Sequence, residues 1–123
     1  MNNLIDAIFA ATDEGILSLA AIRDTTGQPV DFQIVHLNQG ACRLLKRPAD
    51  QLQWHRLATG GHSLCQPEVA ARLLRVIRSG NRDQFEIGSG GRDLRLSATR
   101  FGDLQRFPLE WDHLVIPFER ETL

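Results

Sequence analysis

The sequence predicts an α+β domain with one antiparallel sheet and helices packed on one face of that sheet. Strand-like segments come in two groups, one early and one late in the chain, rather than alternating with helices one by one. The strongest amphipathic helix lies between the two groups. The 123 residues fit one domain, and a hydrophobic share of 42% is enough for a packed core.

Charge and cysteine content narrow the function classes. Fourteen basic and fifteen acidic side chains give a net charge of -1, so no positive excess attracts nucleic acid or an anionic membrane. No segment approaches the roughly eighteen apolar residues of a transmembrane helix, and the N-terminus lacks a basic export signal. Cys42 and Cys65 are too few for a secreted disulfide scaffold. We therefore expect a cytoplasmic domain without nucleic-acid or membrane partners.

The chain begins with a predicted flanking helix over residues 1–13. Its apolar side chains recur at helical spacing and form one stripe, made by Leu4, Ile5, Ile8 and Phe9. A first strand is predicted over 16–22, and residues 24–30 hold the turn formers of a hairpin loop. The second strand is predicted over 31–37, with one face made by Phe32, Ile34 and His36.

The middle of the chain predicts helices. Asn38 is a good N-cap for a short helix that Pro48 stops, and another short helix follows through Leu52. Residues 54–63 are predicted to form a helical turn and then a loop. The longest helix starts at Pro67 and stops at Gly80, and its apolar face contains Ala70, Leu73, Leu74 and Ile77. On its outer surface, the i, i+4 spacing predicts a pair between Glu68 and Arg72.

The last third returns to the two-residue period of strands. Phe85 and Ile87 alternate with polar neighbours, and a glycine-rich turn follows at 88–91. The next strand alternates Leu94, Leu96 and Ala98 with polar residues, and the final strand is predicted over 109–118. The whole is a five-stranded sheet over residues 14–123, preceded by the flanking helix.

Four segments of the chain resemble those of a known family. Residues 14–31, EGILSLAAIRDTTGQPVD, are similar to the first strand and loop of many bacterial PAS domains. The closing segments RDLRLSATRFG and HLVIPFERET resemble the paired last strands of the family. Lys46 stands where the family usually has glycine, and of the frequent final Asp-Ile-Thr triplet only Thr122 is present. The second strand and helix resemble the N-x-A-x-x-x-L-x-G-R-x-x-x-x-L block through Asn38, Ala41, Leu45, Arg47 and Leu52.

The resemblance implies a signal-input domain without catalytic residues of its own, cut from a longer bacterial signalling protein. It implies a C-terminal output domain, with a GGDEF-type diguanylate cyclase favoured and a histidine kinase as the alternative. It also implies a homodimer that pairs through the N-terminal helix, which makes Leu4, Ile5, Ile8 and Phe9 predicted dimer contacts. A flanking helix folded back on its own sheet is an equal alternative. A stand-alone enzyme of unrelated α+β fold remains open, although no catalytic grouping has distinctive spacing.

If the domain has a ligand pocket, we expect it between the sheet and the middle helices, where the apolar faces converge. The alternative is a dry core, which would leave a ligand-free dimerisation or relay module. An unknown small molecule fits this layer better than a known cofactor does. The predicted lining consists of Ile34, His36, Leu57, Leu73, Ile77, Phe85, Leu96 and Ile116, closed by Trp54 and Arg56.

Flavin, haem and zinc are not predicted. The segment around Cys42, GACRLLK, lacks the asparagine and the spacing of the flavin-binding LOV motif G-x-N-C-R-F-L-Q. The longest helix contains no histidine to ligate a haem iron, and His62 with Cys65 supplies only two metal ligands. The histidines are therefore expected to be exposed or hydrogen-bonded; they are His36, His55, His62 and His113.

Two further motifs are predicted to be structural. The GSGG segment at 88–91 lacks the strand-to-helix context of a phosphate-binding loop. The basic cluster of Arg72, Arg75, Arg78 and Arg82 is expected to be a solvated face, and a docking surface for a partner domain is the alternative.

Overall fold

The computed structural model describes residues 15–89, 92–101 and 113–120. The predicted flanking helix and the predicted turn residues 90 and 91 lie outside the described residues. The strands form one sheet in which every neighbouring pair is antiparallel, in the order β2-β1-β5-β4-β3. This confirms the predicted fold class. The strands are β1 (Gly15–Arg23), β2 (Pro29–Leu37), β3 (Asp83–Ser89), β4 (Arg92–Phe101) and β5 (His113–Arg120).

The helices lie on one face of the sheet. Helix α1 covers Gln39–Leu45 and helix α2 covers Pro67–Ser79, and two short 3-10 turns cover Ala49–Gln51 and Ser63–Cys65. Their apolar side chains join those of all five strands in one buried cluster, which is the core of the domain. Within the described ranges, no helix is both long enough and apolar enough to cross a membrane.

The register between β1 and β2 shifts by one residue at Val35. Ser18 lies opposite His36, whereas Leu19 lies opposite Ile34, so Val35 is the extra residue of a β-bulge. Because successive side chains point to opposite faces, the bulge reverses the alternation beyond it. The prediction that His36 shares a face with Phe32 and Ile34 is therefore wrong.

The outer edge of β2 is covered by residues 54–57, at the start of the segment 54–63 that is predicted to form a helical turn and then a loop. They form turns and one antiparallel bridge, Gln33 with Arg56, beside the strand: Trp54 N–H donates to the Ile34 carbonyl (2.7 Å), and Leu57 N–H donates to the Phe32 carbonyl (2.8 Å). The Gln53 side-chain amide donates to the carbonyl of the bulged Val35 (3.0 Å). These contacts use the polar groups that a strand at the edge of a sheet otherwise leaves unpaired.

Asn38 joins the end of β2 to both β1 and α1. Its side-chain oxygen accepts the Ala41 N–H (2.9 Å), which caps the helix, and the Ile16 N–H (3.0 Å), which belongs to β1. Its own N–H donates to the Ile16 carbonyl (3.1 Å). The Asn38 side chain is buried, so the N–H groups of Ala41 and Ile16 have its oxygen as their acceptor in place of water.

Helix α1 ends at Leu45, before the predicted stop at Pro48. Lys46 is its C-cap and adopts a left-handed conformation, with φ 57° and ψ 42°. An L-residue with a side chain is strained in this region, which glycine occupies without steric cost. Lys46 replaces the glycine that is usual in PAS domains, and it does so at a position where the backbone conformation favours glycine.

Helix α2 begins and ends as predicted. Pro67 occupies its first turn, and Gly80 ends it in a left-handed conformation with φ 75°. The partner predicted for Arg72 is wrong, because its guanidinium binds both carboxylate oxygens of Asp83 (2.9 and 3.1 Å) and lies 4.7 Å from the Phe85 ring centroid. A two-point arginine–carboxylate pair fixes orientation as well as distance, so it holds α2 against β3.

Asn38→Ala should lower the free energy of unfolding by about 1–3 kcal/mol, because the substitution removes a helix cap and leaves two N–H groups without their acceptor. Asn38→Asp, which keeps an oxygen at the same reach, should lose less. Urea unfolding followed by circular dichroism measures both variants, with the exposed neighbour change Gln39→Ala as control. A wild-type unfolding midpoint for Asn38→Ala would contradict this role.

Lys46→Gly should raise the free energy of unfolding by about 1 kcal/mol, because glycine relieves the left-handed strain at the end of α1. Lys46→Ala removes the same charge but keeps the strained Cβ, so it should give no comparable gain. Thermal unfolding of the two variants compares them directly. Equal gains would assign the effect to charge instead of backbone conformation.

Candidate functional site

Seven of the ten predicted lining residues meet in one buried layer between the sheet and α2, which we call the inner layer. Each belongs to the single core cluster, and none is more than 7% exposed. They come from β2, β3, β4, β5, α2 and the segment beside β2. The inner layer consists of Ile34, Leu57, Leu73, Ile77, Phe85, Leu96 and Ile116.

Local periodicity places most of these side chains. Phe85 and Leu96 are direct partners in the β3–β4 register and therefore point to the same face of the sheet. Leu73 and Ile77 lie four residues apart on α2, which puts them one above the other on the helix face that covers the sheet. Leu57 enters the layer only because its segment pairs with β2.

The other three predicted lining residues lie elsewhere. His36 lies on the opposite face of the sheet, where its N–H donates to the Ser18 hydroxyl (3.2 Å). Trp54 is 59% exposed, and its backbone is left-handed with φ 72°. Arg56 has a side chain that is 60% exposed and lies 3.8 Å from Asp31. Trp54 and Arg56 therefore do not close the inner layer, because the pairing of their segment with β2 directs them to the surface.

The loop before α2 is built around a buried histidine. His62 is 6% exposed, and its Nδ1 accepts the Leu64 N–H (3.2 Å), which caps the turn Ser63–Cys65. Burial, with a smaller contribution from the Arg47 cation, lowers the pKa of His62 below its ordinary value. An acceptor Nδ1 and a nearby cation both favour the neutral ring.

Sequence reasoning left His62 as either exposed or hydrogen-bonded, and the structure selects the second. Neighbouring side chains hold the loop together. The single S–H of Cys65 lies within hydrogen-bond distance of the carbonyls of Leu57 (3.3 Å) and Thr59 (3.1 Å), and Arg47 donates to the Gly61 carbonyl (3.4 Å). The loop therefore ties the segment beside β2 to the start of α2. No sequence pattern marks this role, because histidine is not a typical helix cap.

Solved structures share this sheet and its helices. The PAS domain of an HTR-like protein from Haloarcula marismortui has a TM-score of 0.66 at 16% identity, over 98% of this chain and 96% of that one. The PAS domain of BvgS from Bordetella pertussis has a TM-score of 0.56 at 14% identity, over 98% of this chain and 84% of that one. A LOV protein from Rhodobacter sphaeroides has a TM-score of 0.62 at 14% identity, over 94% of this chain and 64% of that one.

The chain has the PAS fold. Its sequence matches no protein-family model and no curated protein. At these identities the structural likeness establishes the architecture of the domain, and the chemistry of the site rests on the residues themselves.

The inner layer of this PAS fold is made of hydrocarbon side chains. A molecule held among them would be retained by burial of apolar surface and by close packing, and its polar groups would have to reach the rim of the layer. Nor do the described ranges hold a group of three or more His, Cys, Asp or Glu side chains that could bind a metal ion. The inner layer therefore offers hydrocarbon contacts and no metal-binding group within the described ranges.

The cysteine of α1 differs from a reactive thiol. Cys42 is half-buried, and burial raises the pKa of its thiol above the ordinary value. The thiolate is the nucleophilic form of cysteine, and a raised pKa lowers its share at neutral pH. Despite the structural likeness to a LOV protein, the environment of Cys42 thus disfavours thiolate chemistry.

The stability of the PAS fold should decrease as the pH falls from 7.5 to 5. Below about 6.5 the unfolded chain protonates His62, whereas the folded chain resists protonation down to a lower pKa. His62→Asn keeps an acceptor but does not titrate, so its free energy of unfolding should depend less on pH. Urea titrations at several pH values measure the difference between wild type and variant.

The matched control for this experiment is His55→Asn, because His55 is exposed. Hydrogen bonds, chiefly from Thr26 and Arg72, hold the pKa values of the Asp24 and Asp83 carboxyls below their ordinary value, so the loss of stability from these two groups begins only at lower pH. If the free energies of unfolding of wild type and His62→Asn changed with pH in the same way, His62 would not be the group responsible.

Proposed function

We propose that the chain is a PAS signal-input domain whose inner layer binds a small, largely apolar ligand. The observation that carries this proposal is the composition of the layer: seven buried hydrocarbon side chains from both the sheet and α2, in a fold shared with PAS and LOV domains. In this proposal the domain senses and transmits, and any catalysis belongs to another domain.

The proposed signal is a displacement of α2 relative to the sheet. Leu73 and Ile77 supply the helix side of the inner layer, and a close-packed layer takes up extra volume only if its walls move apart. The Arg72–Asp83 pair restrains that movement from the side of β3, since it bonds the helix directly to the strand. A ligand would thus shift the equilibrium between two packings of α2.

The proposed location, oligomeric state and output domain rest on the resemblance of the sequence to PAS domains. We propose a cytoplasmic homodimer that pairs through the stripe of Leu4, Ile5, Ile8 and Phe9, with a C-terminal output domain. A GGDEF-type diguanylate cyclase is the output that we favour, and a histidine kinase is the alternative. The rival proposal is a ligand-free dimerisation or relay module, in which the same inner layer is simply a full core.

Protein purified under native conditions should carry a small molecule of defined mass. Native mass spectrometry should show this additional mass, and denaturation should remove it. Leu96→Phe adds volume inside the inner layer and should lower occupancy at least tenfold, because the extra ring competes with the ligand for space.

The control for Leu96→Phe is Ser97→Ala, which changes the opposite face of the same strand, where Ser97 accepts a hydrogen bond from Gln84. Occupancy in Ser97→Ala should equal that of wild type. A wild-type mass equal to that of the bare chain would favour the relay module. An absorption spectrum of flavin or haem would overturn the assignment of a plain apolar ligand.

A further inference from the structure

We propose that the exposed arginines at the end of α2 bind an acidic segment of a partner protein. Arg75 and Arg78 lie three residues apart on the helix, and Arg82 follows the turn at Gly80. All three side chains are exposed, and we call them the arginine surface. Residues at this spacing are neighbours on a helix, with Cβ atoms about 5–6 Å apart.

Within the described ranges, the arginine surface makes few contacts with the rest of the fold. Among the described residues, none of its three members makes an ion pair, and Arg78 makes only a long hydrogen bond to the Pro29 carbonyl (3.5 Å). Other arginines of the domain are paired: Arg56 with Asp31, Arg72 with Asp83, and Arg95 with Glu86.

The end of α2 does not require these cations. A helix C-terminus attracts positive charge and leaves carbonyls without partners, and Arg100 from β4 already brings a cation there and a donor to one of these carbonyls. Its Nη1 donates to the Ile77 carbonyl (3.1 Å), and its guanidinium lies so close to Gly80 that a Cβ there would be 2.8 Å from Cζ. The Gly80 N–H closes the last turn on Val76 (2.8 Å).

The carboxylate that adjoins the arginine surface in the sequence is already paired. Asp83 follows Arg82 directly, but both of its oxygens are bound by Arg72. The chain as a whole has a net charge of -1, so the positive potential of the arginine surface is a local feature. Like charges within the screening distance of about 8 Å repel one another, and a partner carboxylate would relieve such repulsion between neighbouring arginines.

The chemistry of the surface favours carboxylates on a protein. The guanidinium fork matches a carboxylate in two-point geometry, and the domain uses this pairing itself at Arg72 and Asp83. Nucleic acid fits less well, because three cations on a chain with net negative charge give few phosphate contacts and little steering. We therefore assign the partner as an acidic helix, with carboxylates three or four residues apart. The inference does not depend on a ligand in the inner layer.

The test uses a fluorescent twenty-residue helical peptide with glutamates at i, i+3, i+4 and i+7, and binding to the full chain is followed by anisotropy. Arg75→Gln/Arg78→Gln/Arg82→Gln should weaken binding at least tenfold. The control Arg43→Gln/Arg56→Gln/Arg95→Gln removes the same charge from other exposed positions and should weaken binding less than twofold. A peptide with glutamine in place of glutamate should not bind.

Thermal unfolding of both triple variants separates loss of the surface from loss of the fold, and a folded first variant is expected because its arginines make no ion pairs among the described residues. Equal weakening by the two triple variants would overturn the proposal, since binding would then follow net charge alone. Tighter binding to a twenty-base-pair DNA duplex than to the glutamate peptide, lost in the first variant, would overturn the choice of a protein partner.

Discussion

The register between β1 and β2 is the constraint on which the rest of the domain depends. The bulge at Val35 turns His36 away from the core and returns Leu37 to it, so the strand ends with Asn38 placed between β1 and α1. If β2 slipped by one residue, its apolar side chains would turn to the other face of the sheet, and the Asn38 cap would shift away from its partners. The segment 54–57 and the Gln53 amide hold the outer edge of the strand in this register. One local irregularity thus determines both the packing of the sheet and the entry of the first helix.

The inner layer unites stability and the proposed function in the same side chains. Complete burial of an aliphatic or aromatic side chain contributes about 1.5–3 kcal/mol, so the seven residues of the layer are a large part of the driving force for folding. A ligand that takes part of this space must replace the contacts that it disrupts, because a void in a packed core is costly. The attachment of α2 at its two ends matters for the same reason: His62 and its loop hold the start, and Arg100 holds the end. These contacts limit how far the helix can move when the layer expands.

Charge in this domain is organised locally. Arg72 and Arg100 tie α2 to β3 and β4 by directed hydrogen bonds, whereas the arginine surface beside them faces solvent. The near-zero net charge in the sequence conceals this division, because it sums paired and exposed groups alike. The architecture therefore separates an apolar site inside the domain from a charged surface outside it, and α2 contributes to both.

The amino-acid sequence by itself determined the class of fold, the order of the described strands and main helices, and the burial of most of the predicted lining residues. Asn38 as a cap, Pro67 and Gly80 as the limits of α2, and the alternation around Phe85 and Leu96 are local signals, readable within a few residues. The tertiary structure alone decided that His36 faces away from the core and that Trp54 is exposed. It also decided that Arg72 pairs with Asp83 rather than Glu68, and that His62 is buried. The physical reason is distance along the chain: a bulge, an edge pairing and a side-chain partner are chosen by segments that meet only in the folded state, whereas periodicity and caps act within one element.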